Sequence, residues 1–140
     1  MKTIPKILIL LLLISCASSK KNNKQASYSI LDIKWHIEAL NGEVVDLPEK
    51  SPEVFILFTS ENPKKVQGHN GCNSFFGGYE ISGDSLRLIE VAQTLRACGP
   101  PFAELETKFM EALEGVERYF YSEKQLFLLG ESDTLMVFRE

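Results

Sequence analysis

The side chains best suited to covalent chemistry in this chain are three cysteines, at positions 16, 72 and 98. His69 precedes Cys72 by three residues, and a histidine that deprotonates a thiol is a common way of activating a cysteine nucleophile. These two residues are close only in sequence, and nothing else in the pattern places the imidazole beside the sulfur. The cysteines form no Cys-x-x-Cys pair and have no pair of histidines nearby, so no metal site is predicted.

A second set of candidate residues surrounds Ser85. The tetrapeptide Gly83-Asp84-Ser85-Leu86 matches the GDSL esterase sequence, in which the serine needs a histidine late in the chain. No histidine follows His69 here, so no base is available to activate Ser85. We therefore expect a hairpin turn at this point and assign no catalytic residue. Neither a phosphate-binding loop nor a dinucleotide fingerprint occurs, so no cofactor is predicted.

The amino-terminal segment has the pattern of a signal peptide. Lys2 and Lys6 precede eight consecutive apolar residues at positions 7–14. That run is shorter than the roughly 20 residues that span a bilayer, which favours a cleaved signal over a membrane-spanning helix. It ends at Leu13-Ile14-Ser15-Cys16, which resembles the bacterial lipobox, where the cysteine is lipidated and becomes the first residue. The alternative is an ordinary secretory signal that contains a cysteine by chance.

On the lipobox interpretation, residues 1–15 are removed and Cys16 carries the acyl chains that hold the protein on a membrane. Two or more acyl chains give stable anchoring. Residues 16–29 are then a polar tether, in which residue 17 is alanine instead of the aspartate linked to inner-membrane retention. We therefore expect a lipid-anchored cell-envelope protein, at the outer membrane and facing the periplasm.

Composition limits the remaining functional classes. The chain has 15 Lys and Arg against 19 Asp and Glu, and its formal charge of −4 becomes −6 when Lys2 and Lys6 are removed with the signal. This balance opposes a nucleic-acid partner, because such proteins neutralise phosphates with basic side chains. With 44% hydrophobic and 24% charged residues, the composition is that of an ordinary globular protein. We expect one domain, over residues 30–140.

Most of this domain has the pattern of short strands. Asn41-Gly42 predicts a tight hairpin turn, and Gly77-Gly78 predicts a bulge or bend within a strand. The predicted strands lie within residues 30–40, 54–58, 65–70, 75–81, 85–89, 91–96, 118–121, 125–129 and 134–138. So many short strands predict a mainly β fold, a single antiparallel barrel or strongly curled sheet.

One helix is predicted, at about residues 101–114. Pro101 suits the first helical position, and Glu104 and Glu106 suit the first turn. Gly115 is expected to end the helix. An apolar stripe runs along one helical face, formed by Phe102, Leu105, Phe109, Leu113 and Val116. We expect this stripe to cover an open end or face of the sheet, the alternative being a surface for a partner.

Residues 68–79, with the sequence GHNGCNSFFGGY, resemble the signature of the META domain family, roughly G-x-x-G-C-N-x-[FY]-x-G-x-Y. Trp35 near the start of the domain and Thr94-Leu95-Arg96-Ala97-Cys98 are further family marks in the expected order. The resemblance covers about residues 30–139. It implies a compact, barrel-like β fold with one helix, no enzymatic activity and no agreed ligand. Members are mostly envelope or secreted proteins, loosely linked to stress tolerance.

The residues of this motif are typical of a structural turn. Gly68 and Gly71 permit backbone angles that a Cβ disfavours, and Asn70 and Asn73 can hydrogen-bond to their own backbone. The alternative is a ligand-binding loop formed by the same four residues.

The two cysteines that remain after lipidation lead to a disulfide prediction. Once Cys16 is used, Cys72 and Cys98 allow one pairing in an oxidising compartment. Two buried free thiols, or metal ligands, are the alternatives.

Together these observations predict a non-enzymatic, lipid-anchored envelope module, expected to be monomeric. It would bind an unidentified protein or small molecule, or support the envelope under stress. The alternative is a periplasmic inhibitor of a lysozyme-type enzyme, because an acidic, disulfide-bearing barrel can dock a basic enzyme through complementary charge.

Overall fold

Residues 29–140 are described by a computed structural model of the protein. The predictions for the signal peptide, for Cys16 and for nearly all of the tether lie outside the described residues. Within residues 29–140, no helix is long and apolar enough to cross a membrane.

Nine strands and one helix make up the described chain. The strands are β1 Lys34–Leu40, β2 Glu43–Val44, β3 Phe55–Phe58, β4 Lys65–His69, β5 Ser74–Ser82, β6 Ser85–Gln93, β7 Arg118–Ser122, β8 Gln125–Leu129 and β9 Thr134–Arg139. The helix α1, Phe102–Glu114, lies between β6 and β7. The short strand β2 was not predicted, because two residues carry no readable periodicity.

The nine strands form one antiparallel sheet that closes into a ring. The strand order is β2-β1-β3-β4-β5-β6-β7-β8-β9, and β1 also pairs with β9. Eight strands therefore form the ring, and β2 is attached to β1 as a hairpin arm. The prediction of a mainly β, strongly curled antiparallel sheet with one helix is confirmed.

The hairpin turn was predicted correctly, and the bulge predicted at Gly77-Gly78 lies instead in the strand that pairs with them. Asn41 and Gly42 have positive φ angles of 51° and 81°, the arrangement of a tight hairpin turn. The ladder of β5 and β6 shifts register between Phe76 and Gly78, so a bulge lies opposite Gly77. A Cβ on Gly77 would lie 2.8 Å from the carbonyl oxygen of Ile89, so only glycine fits this close approach.

That bulge also corrects one prediction. Residues 85–89 and 91–96 were predicted as two strands, but Ser85–Gln93 is one continuous strand. Glu90, with a φ of 49°, is the residue at which β6 bends. Residues 94–96 lie beyond the end of the strand, although the Thr94 N–H still donates to the Ser74 carbonyl oxygen at 3.0 Å. The error arose because the bulge interrupts the alternation of apolar residues without ending the strand.

Apolar side chains fill the interior of the ring. Each of the two ends of the ring is covered by a different part of the chain. At one end, where β3 finishes, the fully buried Trp35 donates a hydrogen bond from Nε1 to the carbonyl oxygen of Ile30, at 2.9 Å. Leu31 forms a bridge with Phe58 at the same place. The first described residues therefore cover this end, which we call the tryptophan end.

At the opposite end, where β5 begins, α1 lies across the opening. Phe109 and Leu113 are almost completely buried, and the Phe109 ring lies 5.4 Å from that of Phe75 and 6.3 Å from that of Phe138. The apolar stripe therefore covers an end of the sheet, and we call this the helix end.

Pro101 is the N-cap residue and not the first helical residue. The helix begins one residue later than predicted, because cap geometry is poorly specified by sequence.

Phe109→Ala should lower the free energy of unfolding by about 3–5 kcal/mol, because it leaves a cavity among packed rings. Phe76→Ala is the matched control, since the Phe76 side chain is 56% exposed. Thermal melts of the two variants check the prediction. An unchanged midpoint for Phe109→Ala would mean that α1 does not seal the core.

Candidate functional site

The residues of the sequence motif meet two other segments at the helix end. Residues 70–73 connect β4 to β5, and we call them the motif loop. They lie against residues 93–98, which are the last residue of β6 and the five that follow it, and against Glu106 of α1. Asn70 and Asn73 are the buried polar side chains of the described chain.

Asn70 closes the motif loop on itself. Its Oδ1 accepts the N–H groups of Cys72 at 3.2 Å and Asn73 at 2.7 Å, and its own N–H donates to the carbonyl of Asn73 at 3.0 Å. The Nδ2 group donates to Oε1 of Gln93 at 2.7 Å. This is an Asx-type turn, in which a side chain replaces a backbone partner. The predicted structural role of Asn70 matches this geometry.

Asn73 joins the motif loop to both other segments. Its Oδ1 accepts the Thr94 hydroxyl at 2.7 Å and the Arg96 N–H at 2.8 Å. Its Nδ2 donates to the Arg96 carbonyl at 3.1 Å and to Oε1 of Glu106 at 3.0 Å. Two acceptor positions and two donor hydrogens are all that a carboxamide offers, so this side chain is fully used.

Cys72 and Cys98 form a disulfide, with their Cα atoms 5.9 Å apart. The pairing predicted from the cysteine count is the one present, so the free-thiol and metal-ligand alternatives do not apply. The bond ties the motif loop to the chain just before α1. On the chain-entropy account, closing the loop between Cys72 and Cys98 stabilises the folded state by about 3–4 kcal/mol. The disulfide also leaves Cys72 without the thiol that a nucleophile would need.

Gly68 and Gly71, the first two glycines of the motif, allow close packing around the loop. A Cβ on Gly68 would overlap the carbonyl oxygen of Phe55 and the ring of Phe75. Gly71 has a φ of 98°, and a Cβ there would lie 3.0 Å from the side chain of Leu105 on α1. Gly68 and Gly71 are both buried, as are Asn70 and Asn73. The four residues considered as a ligand-binding loop therefore pack against the rest of the protein.

His69 ends β4 beside the motif loop. Its Nδ1 accepts the N–H of Gly71 at 3.1 Å, which requires that nitrogen to be unprotonated. Burial, and after it the positive charge of Arg96, lower the pKa of His69 from its ordinary value of 6.5. The imidazole therefore supports the loop in its neutral form.

Ser85 is the remaining candidate residue. Ser85 begins β6 directly after a turn that contains Gly83, whose φ is 64°, and its hydroxyl lies 3.5 Å from the carbonyl oxygen of Glu117. Among residues 29–140, no group of three or more His, Cys, Asp or Glu side chains is arranged to hold a metal ion.

Sequence reasoning missed the polar partners of the loop. Gln93 pairs with Phe75 across β5 and β6 and so faces inward, where it bridges Asn70 and Glu106 at 2.7 and 2.9 Å. Glu106 was assigned only to the helix dipole. A polar residue at an inward position of a strand is the signal that points to such a network.

Comparison with known protein families identifies the family of this chain. The sequence model of the META domain matches residues 29–140. The chain belongs to the META domain family. The match covers the whole described structure and agrees with the resemblance of the motif at residues 68–79. A comparison with curated proteins finds none that matches.

Two solved structures share the META fold. An NMR structure of a protein from Burkholderia xenovorans is 19% identical, with a TM-score of 0.63 over 79% of this chain and 82% of that one. A second NMR structure is 22% identical, with a TM-score of 0.59 over 76% of this chain and 86% of that one. At these identities the similarity establishes the fold alone.

The state of His69 predicts how stability depends on pH. Because the pKa of His69 is lower in the folded state, the unfolded chain takes up the proton more readily. The contribution of neutral His69 to the free energy of unfolding is therefore fully present above about pH 6.5, and it is lost as the pH drops through the folded-state pKa. His69→Gln should reduce this loss between about pH 7 and pH 5.

Denaturant unfolding at a series of pH values measures the effect. His36→Gln, which removes the other histidine of the described chain, is the matched control. An equally steep loss of stability in His69→Gln and in the unaltered chain would contradict the assignment.

Proposed function

We propose that this META protein is a non-enzymatic module of the bacterial cell envelope, anchored by lipid on Cys16 and acting by binding. The observation that carries the proposal is the disulfide between Cys72 and Cys98. Disulfides persist in oxidising compartments such as the periplasm, and are rare in the cytosol. The bond therefore agrees with the signal peptide and lipobox pattern that end at Cys16.

The same bond supports a role without catalysis. It uses the sulfur of Cys72, which was the strongest candidate nucleophile in the sequence. The neighbouring polar groups of Asn70, Asn73 and His69 are engaged in hydrogen bonds within the protein. A motif whose reactive groups are all occupied internally acts as a scaffold, and binding then takes place on another surface.

The position of the first described residues supports an orientation on the membrane. Ile30 lies at the tryptophan end, and α1 covers the opposite end of the ring. A lipid on Cys16 would hold the tryptophan end nearer the membrane. The helix end would then be turned toward the periplasm, where partners can reach it.

Cys16→Ser should abolish lipid attachment and move the protein out of the membrane fraction or leave it unprocessed. Ser18→Ala, two positions away, is the matched control and should stay membrane-bound. Fractionation together with radiolabelled palmitate measures both properties. Membrane-bound, palmitate-labelled Cys16→Ser protein would contradict the proposal.

A functional assay separates the binding module from the enzyme inhibitor. Purified protein is titrated into a lysozyme activity assay. Unchanged lysozyme activity is the expected result. Inhibition at stoichiometric concentrations would replace the general binding role with inhibition of that enzyme.

A further inference from the structure

The ring of strands is nearly open at one junction, between β6 and β7. Every other junction of the ring has three to seven paired residues on each strand. Here a single pair, Ser85 with Arg118, connects the two strands. Two backbone hydrogen bonds flank it, from Leu86 to Glu117 and from Tyr119 to Asp84, each 2.9 Å long. Beyond Leu86, β6 pairs on one side only, with β5.

This leaves unpaired backbone groups along β6. The N–H of Leu86 points away from β5, since it donates to Glu117. Successive residues of an antiparallel strand direct their backbone groups to alternate sides, so those of Leu88 point the same way as those of Leu86. No strand in the described part of the chain lies there to receive them. An edge of this kind is a template for pairing with another chain.

A cavity of about 310 Å³, lined mainly by apolar side chains together with Arg87 and Glu114, lies along this edge. Leu88 and Val91 of β6 line one side, and Met110 and Leu113 of α1 line the other. Leu88 and Val91 are only partly buried, because no strand covers them.

The cavity continues into a second one. A further cavity, of about 470 Å³, shares Met110 and Glu114 with the first and extends along α1 to Arg96. We call the two together the seam groove, which lies between α1 on one side and β6 with residues 96–98 on the other.

The charge of the groove comes mainly from the helix. Glu111 and Glu114 are exposed on the α1 side, and neither has an ion pair within residues 29–140. On the β6 side, Arg87 is paired with Glu80 at 3.5 Å. Arg96 lies at the far end of the second cavity. With Arg87 and Glu80 offsetting each other, three carboxylates, those of Glu106, Glu111 and Glu114, stand against the single cation Arg96 along the two cavities, so the net charge is negative.

We propose that the seam groove binds an extended segment of a partner polypeptide that carries alternating apolar and basic side chains. The segment adds to the open edge of β6 as a further strand, and main-chain hydrogen bonds supply affinity, as in other cases of strand addition. Apolar side chains enter the cavity beside Leu88 and Val91, and lysine or arginine side chains face Glu111 and Glu114. This deepens the proposed binding role and rests on it, but it does not depend on the lipid anchor.

The charge of the groove favours a basic partner over a second copy of this chain. A second copy would bring its own Glu111 and Glu114 to the groove. Like charges brought together oppose association, whereas a basic segment is attracted and oriented.

A dye-labelled heptapeptide of alternating valine and lysine is the probe, titrated with the full chain and followed by fluorescence anisotropy. Saturable binding is expected. Glu111→Lys/Glu114→Lys should weaken it at least about tenfold, a difference of about 1.4 kcal/mol. Glu131→Lys/Glu140→Lys changes the net charge equally at exposed positions away from the groove and should leave binding unchanged. Equal weakening by both pairs would overturn the proposal, because only general charge would then matter.

Three modified peptides test the charge preference and strand addition itself. Replacing lysine with glutamate should abolish binding. Methylating the backbone nitrogens along one edge of the peptide should also abolish it when that edge faces β6, and should have no effect when it is the other edge. If neither methylated peptide binds less well than the parent, the peptide does not add as a strand and the proposal fails.

Hydrogen exchange locates the site on the full chain. Within residues 86–93, the amides that point away from β5 and have no partner, such as that of Leu88, should exchange more slowly in the presence of the valine–lysine peptide. Protection elsewhere, or no binding at all, would overturn the groove assignment but would leave the Cys16→Ser fractionation result standing. If β6 is protected in the peptide-free protein, and more strongly at higher protein concentration, then the groove binds a second copy of this chain and not a separate partner.

Discussion

The hydrogen bonds of one buried carboxamide, that of Asn73, are the interaction on which the rest of the structure depends. They connect the start of β5 to residues 94–96 and to Glu106 of α1. The disulfide between Cys72 and Cys98 joins the same segments covalently. Because α1 carries Phe109 into the core, the closure of the helix end depends on this connection. The charge and depth of the seam groove depend on it as well, since α1 forms one wall.

Most of the fold could be predicted because its signals are local. The stripe from Phe102 to Val116 has helical spacing, Asn41-Gly42 specifies a tight turn, and apolar runs mark the strands. The continuity of β6 through the bend at Glu90 was missed, because alternation alone cannot separate a bend from a break. The weak junction between β6 and β7 could not be predicted either, since pairing between strands depends on the position of α1 and not on either strand's composition.

For the site, sequence reasoning found the loop but not its partners. Asn70 and Asn73 were identified as turn residues, and the cysteine count gave the pairing. The bonds from Asn73 to Arg96 and Glu106 span 23 and 33 residues. Contacts at such separations are created by folding, so no local pattern specifies them. The consequence for function is that the most recognisable residues of the family motif stabilise the fold, while the unpaired backbone and free carboxylates lie elsewhere, beside β6.

The stability of Asn73→Ala under non-reducing conditions tests this account most directly. Ser74→Ala is the matched control, because the adjacent Ser74 side chain is exposed. Removing the Asn73 carboxamide, which is buried, breaks its hydrogen bonds with Thr94, Arg96 and Glu106 and should lower the free energy of unfolding by about 3 kcal/mol or more, whereas Ser74→Ala should change it by less than about 0.5 kcal/mol. The two values come from denaturant unfolding with the disulfide intact. A loss for Asn73→Ala no larger than that for Ser74→Ala would contradict the central role given to this side chain.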